Sequence, residues 1–184
     1  TTGTGNVAVG KSSLDANTTA DDNTAVGHNS LVANTTGASN TAIGKSALQA
    51  NTTGSQNTII GMSAGTALTT GSNNTLIGFD AGSHDVNLTT GGNNVVVGQF
   101  CDVSASGVSN EVVVGNNLTG KGDDTAFIGG TNGAFNEANS STWSTTSDRR
   151  IKKNIVDNDV GLEKLNQIQI RNFEYRTKDE ITEV

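Results

Sequence analysis

A five-residue pattern, Asn-Thr-Ala-(Val/Ile)-Gly, ends at Gly10, Gly27, Gly44, Gly61 and Gly78 and returns in looser form at Gly98, Gly115 and Gly129. The intervals between these glycines are 17, 17, 17, 17, 20, 17 and 14 residues. Eight copies at a near-constant period place the chain among repeat architectures, where each unit is supported by its neighbours. The residue before each glycine is Val9, Val26, Ile43, Ile60, Ile77, Val97, Val114 or Ile128. All are β-branched, which favours a short strand over a helix. Between the strands lie clusters such as Asn-Thr-Thr-Gly at residues 34–37 and 51–54, residue types that suit left-handed and tight-turn backbone. Each unit reads as one coil of a parallel β-solenoid or β-roll, about eight coils in all.

A single coil is not a stable object. Fixing each residue costs about 1–2 kcal/mol of backbone entropy, more than two or three small buried side chains per coil can offset. Stacking must supply the difference through ladder hydrogen bonds and a continuous inner column. The position two before each glycine runs Ala8, Ala25, Ala42, Ile59, Leu76, Val96, Val113, Phe127. Successive strand residues point to opposite faces, so both faces of the strand column are apolar. One coil has one interior, and the second apolar face calls for another chain; three-fold wrapping into a homotrimer is the most economical arrangement.

The repeats resemble the left-handed parallel β-roll heads of trimeric autotransporter adhesins, whose coils carry an Asn-Ser-x-Ala-Ile-Gly type of repeat, and the same repeats in phage tail fibres. The resemblance covers roughly residues 1–130. The period of 17 here exceeds the adhesin coil and implies a few extra loop residues per turn, around the Asn-Thr-Thr-Gly segments.

Composition changes abruptly further on. Residues 1–146 carry three Lys/Arg against ten Asp/Glu, a net charge of −7, whereas residues 147–184 carry eight of each. After Gly130 the repeat gives way to a polar linker, residues 131–146, holding the only tryptophan, Trp143. Then comes Ser147-Asp148-Arg149-Arg150-Ile151-Lys152-Lys153-Asn154-Ile155. Taken alone, this is an ordinary helix start, with Ser147 as N-cap, Asp148 in the first turn and a solvated basic face. It also places a lysine five residues from a serine. A serine nucleophile with a lysine general base needs that lysine neutral, and neighbouring positive charge from Arg149, Arg150 and Lys153 would favour the neutral form.

The order of fibre repeats, Trp-containing linker and Ser-Asp-x-Arg-x-Lys-x-Asn-Ile is similar to the opening of the intramolecular chaperone of endosialidases and related phage tail spikes, a domain also found in a membrane-bound myelin transcription factor. The resemblance implies a domain that trimerises, assists folding of the fibre and cuts itself off beside the serine. It makes Ser147 the nucleophile and Lys152 its partner, with Asp148 and Arg150 as supporting motif positions. Downstream, Leu162, Leu165 and Ile168 recur every three residues after candidate caps at residues 157–159, and residues 170–175 read as a strand with Phe173 and Tyr175 on one face. Residues 147–184 are thus expected to be the N-terminal part of the chaperone, a short α+β segment.

Other signals narrow the function. An acidic, Lys-poor repeat region lacks the basic stripe that nucleic acids require. With Cys101 as the one cysteine there is no intrachain disulfide, and beside Phe100 it reads as a small buried hydrophobe. The sequence shows neither an 18-residue apolar run nor a signal peptide. It opens without Met and ends in charged residues, so it reads as part of something longer. His28 and His84 stand in different coils without a second His or Cys at ligand spacing, and read as surface loop residues; Asp21-Asp22 and Asp123-Asp124 read as solvated turns, since neither pair sits in a calcium-loop motif. No metal and no cofactor are expected.

Thr24, Thr41, Thr58 and Thr75 recur in register and raise the alternative of an ice-binding solenoid, but Val95 and Val112 end the series. A glycan-degrading enzyme would need in-register carboxylates, which the repeats lack. The expectation is an adhesive or structural segment of a trimeric phage tail fibre, carried on the virion. Its partners would be two identical chains, a host-surface glycan or outer-membrane receptor, and other tail proteins. A bacterial cell-surface adhesin head is the alternative, and the only enzyme activity expected is single-turnover self-cleavage.

Overall fold

A computed structural model describes residues 2–130 in full and, beyond them, the backbone of two short strands at 134–136 and 144–145. The chain divides into two units, Thr1–Thr146 and Ser147–Val184. The described part is a parallel β-solenoid. Its strands are β1 (Val7–Val9), β2 (Thr24–Val26), β3 (Thr41–Ile43), β4 (Thr58–Ile60), β5 (Thr75–Ile77), β6 (Val95–Val97), β7 (Val112–Gly115), β8 (Ala126–Gly129), β9 (Ala134–Asn136) and β10 (Ser144–Thr145). They form one sheet in sequence order. β1 to β8 are parallel, with equivalent residues of successive copies paired, as in Thr24↔Thr41↔Thr58↔Thr75. Eight strands are therefore joined by seven turns, and no helix occurs among the described residues.

β1 to β7 are three or four residues long because β-branched residues start them and a glycine stops them. Gly44 shows why nothing else fits: its φ of 134° lies in the left-handed half of the map, and a Cβ there would sit 2.6 Å from the carbonyl carbon of Gly61 in the next coil. Close coil stacking and the sharp exit from the strand thus require the same residue.

The Asn-Thr-Thr-Gly clusters work differently from the sequence expectation. Asn51, Thr52, Thr53 and Gly54 have no positive φ; the left-handed positions lie outside the cluster, at Leu48 and Gln56. Gly54 is needed for space, since a Cβ would collide with the carbonyl of Gly71 one coil on.

The middle residue of every strand from β2 to β8 points inward. Ala25, Ala42, Ile59, Leu76, Val96 and Val113 are wholly buried, and Phe127 nearly so. A second apolar column is Ala47, Ala64, Ala81, Cys101 and Leu118. Cys101 is buried and unpaired there, and burial pushes its thiol pKa up from its ordinary value of 9.0.

The residue preceding each strand builds a polar ladder. Asn6, Asn23, Asn40, Asn57 and Asn74 each accept, on Oδ1, the backbone N–H of the equivalent residue one coil on, at 2.9–3.1 Å. Their side-chain amides donate to carbonyls of the following turn, Asn40 to Gly54 and Asn57 to Gly71, both at 2.9 Å. The buried amides of this ladder are tolerated inside so thin a fold because stacking satisfies them.

The two coils that depart from the period are each tied by one buried carboxylate. The 20-residue coil carries three extra residues, His84, Asp85 and Val86, and all three of their N–H groups donate to Asp102, at 3.0, 2.7 and 3.3 Å. In the 14-residue coil Glu111 stands at the end of the Asn ladder. Its carboxylate accepts the N–H and hydroxyl of Ser104 and the N–H of Gly122, at 2.9, 3.3 and 2.8 Å. Beyond β8 the ladder changes sense: β9 pairs antiparallel to β8, and β10 antiparallel to β9.

Candidate assembly face

The first and third residues of each strand face outward. The third positions make one column along the sheet: Val9, Val26, Ile43, Ile60, Ile77, Val97, Val114 and Ile128. Val9, Ile43, Ile77 and Ile128 are 56%, 38%, 36% and 42% exposed, values high enough to make this a solvent-facing apolar stripe. Beside it run Thr24, Thr41, Thr58 and Thr75, partly exposed and followed by Val95, Val112 and Ala126 in the same register. At about 4.8 Å per strand, the stripe extends for roughly 33 Å.

Contiguous apolar surface of this length is uncommon on a monomer, and such surfaces are common at interaction sites. The pattern follows from alternation. An inner column alone would leave the outer positions free to be polar, yet every third position is Val or Ile. The threonine row does not stand by itself either, because the aliphatic row shares its face throughout.

The other residues singled out in the sequence occupy the turns. Asp21 Oδ1 accepts the N–H and hydroxyl of Thr4, at 2.6 and 3.1 Å. Asp123 accepts the N–H of Ser109 at 2.7 Å, and Asp124 the side-chain amide of Asn110 at 2.9 Å. These aspartates brace one turn against the next. His28 is exposed and joins no metal-ligand cluster among the described residues, whereas His84 meets Asp85 and Asp102. Sequence spacing hid Asp102 because its partners lie one coil away; the available signal was a carboxylate at the position where the preceding coils carry Leu48, Gly65 and Gly82.

Ser147, Lys152, Asp148 and Arg150 lie outside the described residues, as do Trp143, the candidate helix at 162–168 and the candidate strand at 170–175. No curated protein and no solved structure gives a match to the chain. Residues 147–184 do match the model of the family described as chaperone of endosialidase.

Proposed function

We propose that the chain is a structural and adhesive segment of a trimeric phage tail fibre, followed by the start of an intramolecular chaperone that is removed by cleavage beside Ser147. The observation that carries the reading is the pairing of a β-solenoid bearing a full-length apolar outer stripe with a C-terminal match to the chaperone of endosialidase. Three copies, each presenting one stripe to a common axis, would bury all three stripes in a closed cyclic assembly. The fibre would act on the virion, in host attachment. Its receptor would be a surface glycan or outer-membrane component, contacted by turn residues outside the stripe.

Repetitive coils make registration difficult, since three chains can slip by one whole repeat at little local cost. A non-repetitive C-terminal domain would fix the register and then be dispensable. In the cleavage step, Lys152 as a neutral amine would take the proton of the Ser147 hydroxyl, the serine oxygen would attack the adjacent peptide carbonyl, the C–N bond would break as the lysine passes its proton to the leaving amine, and water would then hydrolyse the ester. Arg149, Arg150 and Lys153 favour the neutral amine. Loss of the chaperone leaves a fibre whose persistence is kinetic.

Sedimentation of the chain tests the assembly: a trimer is expected, and a stable monomer at micromolar concentration ends the reading. Mass spectrometry of the full-length protein tests the cut. Wild type should be processed beside residue 147, and Ser147→Ala and Lys152→Ala should remain whole; efficient processing of Ser147→Ala would reduce the motif to a helix cap.

A further inference from the structure

The loop that lengthens one coil by three residues does more than bulge. Asp102, 1% exposed, spends its carboxylate on the backbone of that loop, and the His84 ring then stands over the same carboxylate, with Nδ1 3.9 Å from Asp102 Oδ2 and 3.4 Å from Asp85 Oδ2. One ligand atom from each of the three residues lies within 4.8 Å of the others. The imidazole is held from its other side. Phe100 stacks on it at 4.4 Å between ring centres and is itself met edge-on by Phe79 at 5.1 Å. Phe100 has a left-handed φ of 54° at a position where other coils carry Ser46, Ser63 or Asp80. An aromatic ring thus replaces a small polar residue in the coil that faces His84.

We propose that His84, Asp85 and Asp102 form a binding site for a divalent first-row transition ion of the Zn²⁺ class. One imidazole nitrogen and two carboxylate oxygens are a ligand set that such ions accept, with the remaining positions left to water. Bonds of about 2.0–2.1 Å in tetrahedral geometry put ligand atoms roughly 3.3 Å apart. The 3.4 Å between His84 and Asp85 already fits, and the 3.9 Å between His84 and the buried Asp102 calls for a small shift of the His84 ring, whose side chain is 34% exposed. Charge points the same way. Among the described residues the two carboxylates have no lysine or arginine partner. The ion would staple two successive coils at the point where the repeat is interrupted.

Calorimetric titration of the tag-free chain with Zn²⁺, with Mg²⁺ as comparison, tests the site. One Zn²⁺ per chain is expected with a Kd in the micromolar range, about −8 kcal/mol, and Zn²⁺ should raise the melting temperature through linkage. His84→Ala and Asp85→Asn, both at exposed side chains, should each weaken binding about tenfold or more and abolish the thermal shift, while His28→Ala should change neither. Melting in chelator should be alike for wild type and the two site variants, which separates loss of the ion from misfolding. Absence of saturable binding below roughly 100 µM, or binding that survives His84→Ala, would overturn the assignment and leave the cluster as a loop brace.

Discussion

The coils before Asn57 and the coils from it onward enclose the same interior with different side chains. In the earlier ones the strand contributes Ala25 and Ala42, and bulk comes from Leu31 and Leu48, both wholly buried and both in left-handed backbone, φ 51° and 52°. Asn34 and Asn51 occupy the turn three residues on. In the later ones the strand contributes Ile59, Leu76 and Val96, the left-handed position passes to Gly65 and Gly82, and the turn position is filled by Leu68 and Leu88. A Cβ on Gly65 would lie 3.0 Å from Leu76 Cδ1, so the larger strand residue has taken the space that Leu48 fills one coil earlier. Left-handed backbone costs a side-chain-bearing residue about 1–2 kcal/mol; glycine removes that cost. Moving the leucine also ends the turn-position amide column, and Asn51 Oδ1, with Leu68 above it, is a buried acceptor without a partner. The same coil can be filled in two ways, and the later way is the less strained.

The two regions are coupled by the Asn ladder, and cutting it at their boundary should have the largest effect. Asn57→Ala leaves the Asn74 N–H and the Gly71 carbonyl without their side-chain partners. At about 1–3 kcal/mol for each buried orphan, roughly 2–6 kcal/mol of stability should be lost, and the earlier coils should melt first in calorimetry. A loss under about 1 kcal/mol would mean that the backbone ladder alone joins the regions.

Exchange of the two filling schemes sharpens the comparison. Leu48→Gly alone removes a buried leucine and should cost about 2–5 kcal/mol. Leu48→Gly combined with Asn51→Leu rebuilds the later scheme and should recover most of that loss, ending within about 1 kcal/mol of wild type. Chemical denaturation reads both variants; equal losses in the single and double variants would refute the equivalence of the two positions.

The smallest effect is kinetic. Cys101 shares a buried column with Ala47, so Ala47→Cys in a Cys101→Ala background puts the same probe in the earlier region. Thiol labelling should be faster there than at Cys101, reporting easier local opening. The buried Cys101 thiol also sets a pH dependence. Its folded pKa lies above 9.0, so the unfolded thiol ionises first and stability should fall as pH rises beyond 9.0, with no contribution from this group below it. Cys101→Ala should flatten that decline.

Much of this fold was legible in the chain. The period located all eight parallel strands, and alternation within each strand separated the buried Ala25, Ile59 and Leu76 from the outward Val26, Ile60 and Ile77. What stayed hidden depends on stacking. The repeat asparagine reads as a turn former until the next coil supplies the N–H that its carbonyl accepts. Leu31 and Leu48 in left-handed backbone contradict local propensity, and only the closed interior explains them. Local sequence does not show that Glu111 and Asp102 are buried, each accepting N–H groups that an irregular coil presents. At the proposed processing joint the legible part was the motif itself, since Ser147 and Lys152 lie in a segment that matches a family model but is outside the described residues.

The coils of 14, 17 and 20 residues share one strand register, from Leu76↔Val96 across the longest to Val113↔Phe127 across the shortest. Perimeter and pitch are therefore independent variables in this molecule. Advance along the axis is set by the hydrogen-bonded strand, about 4.8 Å each time, whatever length of chain encircles the core. New loops can be grown on the circumference of any coil without displacing a neighbour, provided that a buried acceptor takes up the added N–H groups. A solenoid built this way can diversify its flank while its length and its outer apolar stripe stay constant.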